Sequence, residues 1–227
     1  MHFPVFTFPA ISLRAFSQKI TTLTSLTCSN IGSIYSTDIN LITDCFPLLQ
    51  ELDLSYPTNF ISHTNRFLVG VEALSLTLFK LRKVNLSGHY YINNSLVYDL
   101  FKNCKYLEEA AMLDCYQITN PDVVASALRE RPTLRSLSLS PIFCSQEYRI
   151  LNTYHFIGSL VSLKGLTCLE LSYSRISDQL LSSIAKENLP LKRLALAYCT
   201  GYSYYGLVSL LSNCQRIQHL DLQKADF

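Results

Sequence analysis

The chain has 227 residues, 48% of them apolar and 16% charged, with a net charge of +2. That is enough apolar sequence to bury about 70% of the unfolded chain's surface and too little charge for a disordered chain. The balance of 19 basic against 17 acidic residues argues against the clustered positive excess of a nucleic-acid or anionic-membrane surface, and none of the seven glycines stands in a phosphate-cradling spacing.

From the N-terminus, residues 1–20 read as a lead-in or as part of a preceding repeat. Pro4 and Pro9 interrupt any helix there, and no Lys or Arg precedes Arg14, so this is not a secretory signal. Residues 1–37 are free of acid and rich in Ser and Thr, a faint likeness to a transit peptide. From residue 21 onward one string recurs. It reads Leu49-Gln-Glu-Leu52-Asp-Leu54, then Leu81-Arg-Lys-Val84-Asn-Leu86, then Leu134-Arg-Ser-Leu137-Ser-Leu139. It returns as Leu166-Thr-Cys-Leu169-Glu-Leu171, Leu191-Lys-Arg-Leu194-Ala-Leu196 and Ile217-Gln-His-Leu220-Asp-Leu222. Weaker copies begin at Leu23 and Leu107. The eight starts are separated by 26, 32, 26, 27, 32, 25 and 26 residues. This is the signature of a leucine-rich repeat.

Two periods alternate within each unit. The fourth and sixth positions of the string are apolar between polar neighbours, which predicts a short strand with one buried face. Helical stripes follow. They are Leu96, Val97, Leu100, Phe101 and Cys104, then Val123, Val124, Ala127 and Leu128. Later units carry Leu180, Leu181, Ile184 and Ala185, and Leu207, Val208 and Leu211. Asn120-Pro121-Asp122 supplies a cap, a first-turn proline and a first-turn acid. Neither element buries its apolar side alone, so the units must stack. Strands stack ~4.8 Å apart and helices about 10 Å, which puts the sheet inside the curve. The predicted fold is an α/β leucine-rich-repeat horseshoe over residues 21–227. It has about eight repeats, a parallel inner β-sheet, outer helices and no C-terminal cap.

The eight cysteines show no C-x-x-C pair and sit at regular places in the apolar pattern, so buried free thiols are expected rather than disulfides or zinc. Cys115 and Cys199 fall eight residues after the first Leu of their units. Cys45, Cys104 and Cys214 fall three or four residues before the next unit. With Leu-Pro-Leu-Lys-Arg-Leu from Leu189 and Cys-Gln-Arg-Ile-Gln-His-Leu-Asp-Leu from Cys214, the chain resembles the cysteine-containing repeats of plant F-box/LRR proteins over about residues 11–227. The resemblance implies the substrate-recognition repeats of an SCF-type ubiquitin ligase receptor, in which an F-box docks on the Skp adaptor and cullin. No F-box pattern precedes Leu23, and the string ends just after the eighth strand. The expectation is therefore a fragment, a truncated product or a duplicate without its F-box, with adaptor and cullin recruited only by a longer form.

Positions 3, 5 and 7 of each unit are expected on the solvent face of the sheet. The charged ones, Glu51, Asp53, Lys83, Glu109, Glu170, Arg193 and Asp221, are mixed in sign and spaced apart, which suits a protein partner. Tyr56, Tyr173 and Tyr198 stand at position 8 and are expected to line one rim, where tyrosine gives contact area at low entropic cost. Tyr90, Tyr91, Tyr202, Tyr204 and Tyr205 lie just beyond. The two longer units place extra loop residues at about 55–66 and 140–150, on the same rim.

No histidine shows zincin spacing, no G-x-S-x-G occurs, and the Asn-x-Ser triplets at Asn85 and Asn93 are short enough to arise by chance. The reading is a non-enzymatic protein-interaction module with no cofactor or metal, acting in the cytoplasm or nucleus without nucleic acid or membrane. The other class consistent with these residues is an immune-type or inhibitor-type repeat domain that regulates a partner by contact. The register carries its own expectation: Leu137→Asp unfolds the chain and Ser138→Asp does not.

Overall fold

A computed structural model describes residues 8–32, 34–58, 64–140, 151 and 153–224, with 64–70 described as backbone only. Helices and strands alternate along the chain. The first half holds α1 (Ala10–Ser17), β1 (Ser25–Thr27), α2 (Ser36–Cys45), β2 (Glu51–Asp53), α3 (Thr64–Thr77), β3 (Lys83–Asn85), α4 (Asn94–Asn103) and β4 (Glu109–Met112). The second holds α5 (Pro121–Glu130), β5 (Ser136–Leu139), α6 (Tyr154–Val161), β6 (Cys168–Leu171), α7 (Asp178–Lys186), β7 (Arg193–Ala195), α8 (Tyr204–Asn213) and β8 (His219–Asp221). The strands form one parallel sheet in sequence order. Each helix packs on the next helix in sequence. The chain is a leucine-rich-repeat solenoid, with the sheet on the inside of the curve because strands stack more closely than helices.

The register is regular throughout. Position 3 runs Ser25, Glu51, Lys83, Glu109, Ser136, Cys168, Arg193, His219 across the eight strands. Position 4 runs Leu26, Leu52, Val84, Ala110, Leu137, Leu169, Leu194, Leu220. From Leu52 to Leu194 this second row is buried in a single core with Leu54, Leu86, Leu139 and Leu171. Helix starts are fixed by side chains that accept from free backbone N–H groups. Asn93 caps Leu96, Asn120 caps Asp122 and Val123, and Thr153 caps Phe156. Ser177 and Ser203 cap Leu180 and Gly206. Such caps contribute about 1 kcal/mol each.

The structure changes the sequence reading of the helices at four places. Pro9 does not prevent a helix but precedes one, and Leu13 of α1 joins the core. In α8 the buried stripe is Leu207, Leu210 and Cys214, while Val208 is 39% exposed and Leu211 only partly buried. The spacing 207, 210, 214 keeps to the helical period, and Val208 is rotated away from it. In α5, Ala125 is buried and Val123 only partly. Part of the extra length in the second unit is helix, since α3 begins at Thr64 and is 14 residues long. The remaining loop assignments, 59–63 and 141–150, lie outside the described residues. No helix among the described residues is long and apolar enough to cross a membrane.

Candidate functional site

The solvent face of the sheet is built from positions 3 and 5. On its first half the charges engage one another. Lys83 Nζ on β3 lies 3.4 Å from Glu51 on β2 and 3.3 Å from Glu109 on β4. The Ser25 hydroxyl and Lys83 hold the Glu51 carboxyl below the usual range, and the two glutamates, Glu109 foremost, hold the Lys83 amine above it. Asp53 accepts from Ser55 N–H (2.9 Å), the Ser55 hydroxyl (2.6 Å) and Asn85 Nδ2 (3.1 Å). A shallow depression of about 300 Å³ runs over β1–β5 and is lined by Glu51, Asp53, Lys83, Asn85, Glu109 and Ser136 among others. The second half is plainer. Glu170 accepts from the Ser138 hydroxyl (3.2 Å), and Asp221 accepts from Gln223 N–H (2.9 Å). Arg193 sits in register between Cys168 and His219, and forms no ion pair with a carboxylate of the described residues.

Position 7 departs from the sequence expectation. Ser55, Ser87, Ser140 and Ser172 are buried rather than exposed. Two of the hydroxyls accept from a neighbouring unit's turn, and a third holds a carboxylate of its own strand. Ser87 accepts from Leu113 N–H, Ser140 accepts from Asp114 N–H (2.5 Å), and Ser55 donates to Asp53. Ser138 is also buried, at 7% exposure, so it is a weaker tolerance control than its place on the strand suggested.

Position 8 turns the chain out of the sheet. Asn30, Tyr56, Gly88, Asp114, Tyr173, Tyr198 and Lys224 all have φ between 52° and 79°. The left-handed turn lets the position-8 amide extend the ladder. Tyr56 N–H donates to Ser87 O, Tyr173 N–H to Ala197 O and Tyr198 N–H to Gln223 O. Gly, Asn and Asp adopt this conformation readily, whereas a tyrosine there costs of order 1 kcal/mol or more. Tyr56, Tyr173 and Tyr198 remain 41%, 46% and 37% exposed. Tyr173 and Tyr198 stack in parallel, with centroids 4.5 Å apart and planes 10° apart. Tyr56 lies against Gly88, where a Cβ would come within 2.8 Å of its ring. Burial, then the charges of Asp114 and Glu170, raise the Tyr56 hydroxyl above its ordinary range. Of the tyrosines farther out, Tyr90 stacks on Tyr116, Tyr202 is buried, and Tyr204 and Tyr205 are exposed on the first turn of α8.

Behind the rim lies a hydrogen-bond ladder that the sequence reading missed. Cys115 Sγ donates to Leu86 O (3.4 Å) and Cys199 Sγ to Leu171 O (3.1 Å), each reaching the sixth position of the preceding unit. His89 occupies the same place in its unit, and its Nε2 lies 2.7 Å from Leu54 O. The carbonyl can only accept, so Nε2 carries the proton. Burial pushes His89 down to about 4 and the Cys115 thiol up to about 12. Arg131 matches Cys104 and Cys214 in the other cysteine column. Its guanidinium donates to Phe101 O and Lys102 O at the end of α4, as Cys104 does to Ser75 and Leu78 O. Aligning the eight units in columns would have exposed both substitutions. The seven described cysteines are free thiols, five of them buried.

No family model matches the chain. Among solved structures it is similar to the tropomodulin C-terminal domain of Caenorhabditis elegans, with 11% identity, 92% of each chain covered and a TM-score of 0.44. It is similar also to the Rad7 and Elc1 complex of yeast, with 18% identity, 95% of this chain and 71% of that one covered, and a TM-score of 0.48.

Proposed function

We propose that this chain is a non-enzymatic protein-interaction module that holds a protein partner on the inner face of its sheet. In line with the F-box/LRR resemblance of its repeats, it would serve as the substrate-recognition part of a ubiquitin-ligase receptor, with the adaptor and cullin joined through a longer form. The observation that carries the binding reading is the exposed Tyr173–Tyr198 stack, kept in a backbone conformation that disfavours tyrosine. Aromatic rings standing beside a broad polar face supply rigid contact area. The buried thiols fit a structural role, since burial raises Cys104 and Cys115 to about 12 and Cys28 and Cys199 to about 11, which keeps these four protonated at neutral pH.

The test is affinity capture of the tagged chain from its native cells, beside a Tyr173→Asn/Tyr198→Asn variant of equal thermal stability. Proteins lost from the variant support binding through the rim. Skp adaptor and cullin among the captured proteins support the ligase reading. Identical captures from the two chains would overturn the rim assignment.

A further inference from the structure

Lys83 shows what kind of seat the inner face builds for a cation. Its amine lies between Glu51 and Glu109, carboxylates carried by the strands on either side. The next pair of alternate strands also carries acids, but on the diagonal: Glu109, the partner of Lys83, is in register with Ser136, and Glu170 with Ser138. Glu109 on β4 and Glu170 on β6 flank β5, and β5 presents Ser136 and Ser138 where β3 presents Lys83 and Asn85. The first gap spans two strand spacings, about 10 Å, and the second is also offset by two residues along the strands, which makes it about 12 Å. Asp114 stands at the rim of the same sector, within reach of the Ser140 hydroxyl (3.4 Å). Among the described residues no Lys, Arg or His forms an ion pair with Asp114 or Glu170.

The charge of the whole face points the same way. Its described strand and rim positions carry Glu51, Asp53, Glu109, Asp114, Glu170 and Asp221 against Lys83, Arg193 and Lys224, although the chain as a whole is at +2. The depression reaches Ser136, which is partly exposed, while Ser138 is buried and donates to Glu170. The exposed tyrosine stack borders the same face one and two strands beyond β5 and offers a flanking apolar surface.

We propose that the inner face takes an extended segment of a protein partner, with an arginine or lysine side chain seated over Ser136 and Ser138 between Glu109 and Glu170. The inference rests on the reading of the inner face as a protein-binding surface. It adds the chemistry of the partner: a basic residue in an extended stretch, flanked by a residue that packs against the tyrosine rings. The attraction is electrostatic and solvent-exposed, so binding weakens with salt.

The probe is a displayed library of random linear peptides selected on the full chain. Three variants that melt as the parent does are then compared. Ser136→Trp blocks the floor of the face. Glu109→Gln/Glu170→Gln removes the seat while keeping its shape. Arg149→Ala removes a cation of the chain itself that lies outside the described residues. The expected result is that peptides sensitive to Ser136→Trp carry an arginine or lysine and lose about tenfold or more in affinity on Glu109→Gln/Glu170→Gln. Changing that peptide residue to Gln should then cost nothing further on the double variant. Peptides sensitive to Ser136→Trp but indifferent to the double variant would overturn the cation seat and leave the protein-binding face standing. A selection that yields no peptide sensitive to Ser136→Trp would overturn both. A severalfold gain in affinity on Arg149→Ala would overturn the proposal by giving the seat to the chain's own arginine.

Discussion

The middle of each strand and its exit behave differently. At the exits, positions 7 to 9, nearly every side chain or backbone group is engaged with a neighbouring unit. Serine hydroxyls accept from amides of an adjoining unit, left-handed residues extend the ladder, and His89, Cys115 and Cys199 donate to the preceding unit's carbonyls. In the middle, position 3 meets solvent, as does position 5 except at Ser138 and Ala195, and both differ from unit to unit in charge and size. The exits hold the solenoid together, which fixes their chemistry. The middles have no such duty and are free to be shaped for a partner. Tyr56, Tyr173 and Tyr198 are the exception, because they take exit positions and still present their rings to solvent.

The largest effect lies one residue from the face. Leu137→Asp places a carboxylate in a fully buried row and should abolish the cooperative melting transition, at a cost of about 4 kcal/mol or more. Ser136→Asp, next door on the open face, should change stability by under about 1 kcal/mol. Equal melting temperatures for the two would break the assignment of inner and outer rows.

The exit ladder makes a pH prediction. Burial holds the folded His89 neutral down to about 4, while an unfolded histidine takes its proton near 6.5. Between these values the unfolded chain binds more protons. Stability should therefore fall as pH drops from about 6.5 towards 4, by up to about 3 kcal/mol at ~1.4 kcal/mol per pH unit. His89→Cys keeps a donor for Leu54 O, in the manner of Cys115 and Cys199, and should remove that part of the slope in urea titrations. An unchanged slope would show that the imidazole is not held as described.

Tyr173→Asn/Tyr198→Asn should lie near neutrality, within about 1 kcal/mol. Relief of left-handed strain offsets a ring stack worth about as much. A loss above about 2 kcal/mol, read by calorimetry, would make the rim tyrosines structural. The smallest effect belongs to the face itself. Lys83→Met should cost under about 1 kcal/mol, since its ion pairs are nearly half exposed and screened. It should also leave the urea dependence unchanged.

Much of the fold was legible before any coordinates, because a short strand and a helix impose two apolar periods that recur in every unit. Leu137, Leu169 and Leu194 could be placed in one buried row from spacing alone. The candidate face was legible to the same extent. The alternation that buries Leu52 turns Glu51 and Asp53 outward. The exits were harder. Position 7 looked exposed by alternation, yet the strand had already ended there and the chain had begun to fold under the rim.

By itself the sequence determined the repeat, its register and the facing of each strand residue, because these follow from periodicity within a single unit. Only the tertiary structure decided that Tyr173 and Tyr198 stack, that Lys83 joins two acids from different units, and that His89 does the work of a cysteine. Each of those depends on bringing together residues 25 to 35 positions apart. Stacking of whole units sets that distance, and no local pattern records it.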